Sequence, residues 1–162
     1  MTELFAPPGT EWQGVSPRLA TMRRLVLGAV CLVLLAAGVV LGLVLDRTWV
    51  SGAVVVVVLA LFGFAWWVIG RNARWWGYAE RQEDLYIRRG AMFRRLVVVP
   101  YGRMQFVDVL AGPVNQAFGL ARVQLHTASP ATDAHIPGLT ADEAARLRDR
   151  LTSLGESRAA GL

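Results

Sequence analysis

LVLGAVCLVLLAAGVVLGLVL, residues 25–45, and TWVSGAVVVVVLALFGFAWWVIG, residues 48–70, decide the fold. Neither run contains an acidic or basic side chain, and each has at least 21 residues. At about 1.5 Å of rise per residue, either run crosses a hydrocarbon core of roughly 30 Å. Two fully buried core helices of that length would need far more surrounding protein than a 162-residue chain supplies. A cleaved secretory signal does not fit either. The first apolar run starts only at Leu25, is too long, and is followed at once by a second span. The chain therefore reads as a membrane hairpin with a small domain attached.

Working outward, the charges set a topology. Arg18, Arg23 and Arg24 precede the first span, Arg71, Arg74 and Arg81 follow the second, and only Asp46 and Arg47 lie between. By the positive-inside rule both termini are expected in the cytoplasm, in a multi-pass protein of the cytoplasmic membrane. The net charge of +5 comes from 17 basic residues, all of them arginine, and is read as topology before nucleic acid. Cys31, the lone cysteine, lies inside the first span and has no disulfide partner. Gly38 and Gly42 form a GxxxG spacing, where small residues let a neighbouring backbone approach. That groove is either the hairpin contact, a dimer contact, or the ordinary glycine content of membrane helices. Trp49, Trp66 and Trp67 fall where interfacial aromatics belong. No ionisable group lies within either span to relay an ion or a proton, which argues against transport.

The remaining chain divides into a flexible cytoplasmic tail (1–22), the hairpin (23–70), a domain at 75–155 and a frayed end (156–162). Pro7-Pro8-Gly9 and Ser16-Pro17 mark the tail as loose, with Trp12 placed for the headgroup layer. In the domain, strands are expected at Trp75–Glu80, Asp84–Arg89, Phe93–Val99, Met104–Leu110, Arg122–Thr127 and His135–Ile136. Asn115–Phe118 reads as one helical turn, and Pro137-Gly138 as a stop. Thr140 and Glu143 form a capping box, with Ala144, Leu147, Leu151 and Leu154 as the apolar stripe of a final helix. Short strands closed by one helix make an α+β domain, a small barrel or sandwich with a helix over its open end.

Catalytic patterns are missing from the sequence. Asp84, Asp108 and Asp133 are isolated, and His126 and His135 have no further ligand with which to hold zinc. Thr127 and Ser129 lack a nucleophile elbow, and there is no dinucleotide or phosphate loop. The expectation is a protein that is not an enzyme and needs no cofactor or metal.

From Tyr78 to Leu154 the sequence resembles the bacterial pleckstrin-homology (PH) domain of small YdbS-like membrane proteins. The matching pieces are Gly77-Tyr78, Asp84-Leu85-Tyr86-Ile87-Arg88-Arg89-Gly90, Arg94-Arg95 and Val99-Pro100-Tyr101-Gly102-Arg103-Met104-Gln105. They continue with Val107-Asp108-Val109, Phe118-Gly119-Leu120-Ala121, Val123-Gln124-Leu125-His126-Thr127-Ala128 and the helix from Leu139 to Leu151. Two spans directly before the domain complete the arrangement. Where such proteins often carry a basic residue this chain has Asn115-Gln116-Ala117, which argues against anion binding there. The resemblance implies a PH-like sandwich capped by a helix, with a role in envelope-stress protection beside a larger membrane protein. It also implies that loops between early strands can hold anions.

Arg88, Arg89, Arg94 and Arg95 flank one such turn, with Arg103 expected near them. Guanidinium forks suit phosphates, so this cluster is the candidate binding site, either for anionic headgroups or as a merely solvated basic face. Partner expectations are membrane lipids and another membrane protein or further copies of this chain. The leading reading is an interaction or scaffold module under the inner leaflet; a lipid sensor and an accessory subunit of a larger complex are the alternatives. Nucleic acid is not expected, because the aromatics gather at the membrane end rather than among the arginines.

Overall fold

A computed structural model describes residues 10–128 and 134–159. Pro7-Pro8-Gly9, Ser129 and Asp133 lie outside them, as do residues 160–162. The chain divides into two compact units. One is Ala20–Arg71; the other joins the chain up to Leu19 with the chain from Asn72 onward.

The first unit is a helical hairpin made by α1 (Arg18–Val44) and α2 (Thr48–Trp75). Both are long and apolar enough to span a membrane. Asp46 ends α1 with a positive φ of 51°, a conformation that aspartate tolerates better than most residues. The Arg47 N–H reaches back to the Gly42 carbonyl at 2.9 Å and the Asp46 N–H to that of Leu43 at 3.2 Å. This Schellman arrangement satisfies the last carbonyls of the helix and lets three residues reverse the chain. Val54 lies directly over Gly38 and Ser51 over Gly42, so close that any added Cβ would collide. The glycine groove is therefore filled by the chain's own second helix.

In the second unit two antiparallel sheets face each other. Sheet A has the order β1–β2–β3–β4, built from Gln13–Gly14, Gly77–Glu80, Asp84–Arg89 and Arg95–Pro100. After a 3₁₀ turn at Tyr101–Arg103, sheet B has the order β5–β6–β7, built from Met104–Leu110, Leu120–Thr127 and Ala134–Thr140. A short helix α3 (Pro113–Ala117) bridges β5 and β6, and α4 (Ala141–Ala159) closes the sandwich. Leu85, Ile87 and Val99 from sheet A meet Val123, Leu125 and Ile136 from sheet B, under Ala144, Leu147 and Leu151 of α4. The alternation read from the sequence is what places these residues on the inner faces.

Beyond shifts of a residue or two at β4, β6 and α3, four boundaries differ from the sequence reading, each for a physical reason. The stretch taken for a loose tail contains β1, which pairs Gln13 with Tyr78 and Gly14 with Gly77. Trp12 stacks on the Arg88 guanidinium, 4.5 Å from ring to cation. The domain thus begins before the hairpin, and the two spans are an insertion between its first two strands. Secondly, α2 continues to Trp75, and the strand starts only at Gly77, where a Cβ would press on Arg88 and the Gln13 carbonyl. Thirdly, β7 does not stop at Pro137-Gly138. Between Ala121 and Val123 of β6 the partner strand spends an extra residue, from Ile136 to Leu139. Gly138, at φ 71°, absorbs that bulge and the strand runs on to Thr140. Finally, the segment read as frayed at 156–162 is helical as far as Ala159. There Arg158 reaches Glu83 at 3.8 Å and the Gln82 carbonyl at 3.4 Å.

Polar contacts tie α4 to β2. Thr140 Oγ1 accepts the Glu143 N–H at 3.4 Å, one half of the expected capping box. The Glu143 carboxylate is engaged instead by Tyr78 and Arg146. Glu80, largely buried, accepts from Arg146 at 2.7 Å and Arg150 at 2.6 Å. The Arg146 hydrogen bond, assisted by Tyr78, holds the Glu143 carboxyl below its usual value. Burial, then Glu143, pushes the Tyr78 hydroxyl up. A depressed carboxylate stabilises the fold above the ordinary value of 4.5, and that contribution is lost as pH falls below it. The gap in thermal midpoint between the natural protein and Glu143→Gln is therefore expected to be widest above about pH 5 and to narrow toward pH 3. Midpoints recorded over that range check it; a constant gap would show that the carboxylate charge is not what matters.

Candidate functional site

The five arginines singled out from the sequence do not form one cluster. Arg89 and Arg95 lie directly opposite each other at the ends of β3 and β4. They continue the inward rows of Leu85–Ile87 and Val97–Val99 past the end of the core, so they form its rim. Arg94 sits in the connecting turn, with its guanidinium 4.1 Å from the Trp75 ring. Such stacking keeps a cation oriented while leaving its edge open to a ligand.

Arg88, one residue before Arg89, points to the other face of the sheet, as the period of two requires. Its guanidinium is clamped by Trp12, its Nε is buried without a partner, and burial lowers its pKa. It serves the packing of β1 rather than the rim. Arg103 is a second correction. β4 separates it from Arg95, and about 3.3 Å per residue over that strand puts it at the far end of sheet A, roughly 17 Å or more away.

What joins the rim is apolar. Gly90, at φ 88°, turns the chain sharply toward the Phe93 carbonyl. The side chains of Met92 and Phe93 are left projecting, 61% and 88% exposed. An open depression of about 410 Å³ beside them is lined by Asn72, Trp76, Arg89, Phe93, Arg94 and Arg95, together with Gly90. It contains three guanidinium groups and no carboxylate. On α4 the pattern is the reverse: Arg146, Arg148, Arg150 and Arg158 each lie against Glu80, Glu143, Asp149 or Glu83. The sequence reading makes Phe93 the first residue of a strand; β4 begins only at Arg95, so Met92 and Phe93 both stay in the turn that Gly90 opens.

A second surface was also missed. β5 ends sheet B, and along its outward face Phe106 and Leu110 are 52% and 48% exposed, continued by Val114 of α3 at 48%. Phe106 stacks on His126, ring centroids 4.3 Å apart, and Asp108 lies 3.6 Å from the same imidazole. His135 is drawn away to Trp76, 5.4 Å from ring to ring. Among the described residues no three metal-ligating side chains converge.

Comparison with known proteins agrees with this architecture. Residues 24–154 match the family described as Bacterial PH domain. The UPF0699 transmembrane protein YdbS of Bacillus subtilis (strain 168) is 32% identical over 143 residues, covering 82% of this chain and 84% of that protein. No solved structure matches the chain. Two membrane-length helices inserted in a two-sheet β-sandwich capped by a helix, together with these matches, make the chain a membrane-associated member of the bacterial PH domain family, related to YdbS.

Proposed function

We propose that this protein is a non-catalytic, membrane-anchored module that holds another protein at the inner face of the cytoplasmic membrane. The observation that carries the reading is the β5 surface. The end strand of sheet B, bearing the exposed Phe106 and Leu110 and extended by Val114, presents an apolar face of the kind that binds protein. Edge strands of monomeric proteins are usually blunted by charge; along β5 only Asp108 does this, and it is turned toward His126. The PH-like domain supplies a rigid support for that strand, and the hairpin fixes it to the membrane.

Pairing of β1 with β2 supports a topology in which the chain leaves and re-enters the same side of the bilayer, since the two strands flank the hairpin. The arginine bias supports the cytoplasm as that side. The glycine groove, filled by Val54 and Ser51, counts against the spans as the main partner contact.

The test is purification from native membranes in mild detergent. Proteins recovered with the natural chain should fall about tenfold or more with Phe106→Glu plus Leu110→Glu, because about 1.4 kcal/mol of lost interface is a factor of ten. Recovery should survive moderate salt, since an apolar contact is not screened. Undiminished recovery with the double variant would remove the β5 face from consideration.

A further inference from the structure

We propose that the cleft between β5 and α4 receives an extended segment of the partner protein, which adds to β5 as a further strand. One large apolar side chain of that segment fills the cleft, and a lysine or arginine beside it meets Glu156. This rests on the protein-binding reading above and gives the ligand its form and its chemistry.

The position of the cleft decides the form. A space of about 180 Å³ has Met104, Gln105, Phe106 and Val107 along one wall. Neighbours in a strand point to opposite faces, so a space touched by four consecutive residues runs beside the strand rather than over one face. It lies on the side away from β6, the hydrogen-bonded neighbour of β5, because β5 ends sheet B. The register against β6 also slips by one residue between Met104 and Phe106, and such a bulge bends a strand at that point. Backbone N–H and C=O groups along an edge call for another backbone. A helix has its own groups bonded internally and cannot supply it; an extended segment can. The volume agrees. It is below the roughly 300–1,000 Å³ of sites for drug-sized ligands. It is close to the about 150 Å³ of an apolar cavity that accepts one benzene ring, so a single leucine or phenylalanine side chain fits.

The opposite wall is one face of α4, made by Leu151, Thr152, Gly155 and Glu156. Leu151 is buried, whereas Thr152 and Glu156 are exposed. Glycine inside a helix is less stable than alanine, and packing does not demand it here. An added Cβ at Gly155 would meet nothing nearer than Met104 Cε and the Tyr101 carbonyl, both at the ordinary contact distance of 3.8 Å. What glycine does is keep this wall low, so that a second backbone can lie close to β5.

Charge decides the chemistry. Glu143 and Asp149 of α4 are each matched by an arginine, Arg146 and Arg148. Glu156 has no ion pair among the described residues, and no arginine lines the cleft. In a chain of net charge +5 this is a local negative site, which favours a cationic side chain on the ligand. From Leu151 to Glu156 the helix rises about 7.5 Å. Alternate residues of a strand are about 6.6 Å apart, so the apolar and basic positions of the ligand are two residues apart.

The probe is a phage library of random linear peptides, selected on the full chain in lipid nanodiscs after passage over empty discs. Enriched peptides should carry leucine, isoleucine or phenylalanine and, two places away, lysine or arginine. A synthetic copy of the strongest should bind about tenfold or more weakly to Gly155→Phe, which fills the cleft from the helix side. It should lose as much with Glu156→Lys, an exposed substitution that leaves the core alone. Selection on that variant should turn the basic preference acidic. Thermal midpoints near that of the natural chain identify folded variants; if Gly155→Phe unfolds, Glu156→Lys carries the test. No enrichment over empty discs overturns the proposal, as does peptide binding that either folded variant leaves unchanged. Recovery of native proteins separates the cleft from the broader reading. Recovery lost with Phe106→Glu plus Leu110→Glu but kept with Gly155→Phe and Glu156→Lys would put the partner on the outward face of β5 and reject the cleft. Recovery that all of these variants leave intact would reject both.

Discussion

Leu147→Ala is expected to destabilise the PH-like unit by about 2–5 kcal/mol, measured by unfolding the full chain in mild detergent. Leu147 has no solvent exposure and lies in the same core as Leu85, Val123, Ile136 and Leu151. Removing its branched end leaves a void that rigid strands on two sheets cannot close. The comparison that gives the number meaning is Thr140→Ala, at the start of the same helix. Thr140 is exposed, its bond to the Glu143 N–H is long at 3.4 Å, and water can replace it, so the loss there is about 1 kcal/mol. Equal losses from the two substitutions would mean that α4 is only resting against the sheets. A several-fold larger loss at Leu147 makes it the plug of the sandwich.

Much of this architecture was legible because its signals are local. The spans declare themselves by the lack of any charge from residue 25 to 45, β3 has the boundaries its alternation implied, and β5 those expected for its strand. The strand β1 was not legible. Two residues at Gln13–Gly14 carry no periodicity, and their partners lie across the whole hairpin at Gly77 and Tyr78. In hindsight Trp12 and Val15, apolar residues in a polar tail, were the signal. The candidate site divided for a related reason. Sequence proximity grouped Arg88 with Arg89, but a strand sends neighbours to opposite faces, and Arg88 went to Trp12. Arg103 was grouped with the others only by number, whereas β4 carries the chain away from the turn. Phe93 reads as strand in the sequence because it is a large apolar residue beside a Val-rich run, whereas the turn from Gly90 runs on and β4 starts at Arg95.

Gly138→Ala should be the other severe substitution, with an expected loss of about 2–5 kcal/mol. Two separate effects add. Gly138 has φ 71°, a region that costs an L-residue with a Cβ about 1–2 kcal/mol. The new Cβ would also lie 2.7 Å from Leu19 Cδ2 and 2.8 Å from its Cβ. Leu19 is buried, and the Cβ of a helical residue cannot swing aside, so backbone has to shift. The place where it shifts is what makes the test informative. Ser16 N–H donates to the Gly138 carbonyl at 2.8 Å, two residues after β1 and two before the first arginine of α1 is cleared. Pushing Leu19 outward therefore pulls β1 off the edge of sheet A, and trypsin should cut at Arg18 sooner than in the natural chain. Gly112→Ala is the control. Its φ is −71° and nothing lies within 4 Å of the added carbon, so stability should change by less than about 0.5 kcal/mol. Matching stabilities for the two variants, with no change at Arg18, would show that Leu19 does not seat against the β7 bend. A large loss at Gly138 alone, accompanied by early cleavage, makes that bend the seat on which Ser16 and Leu19 rest.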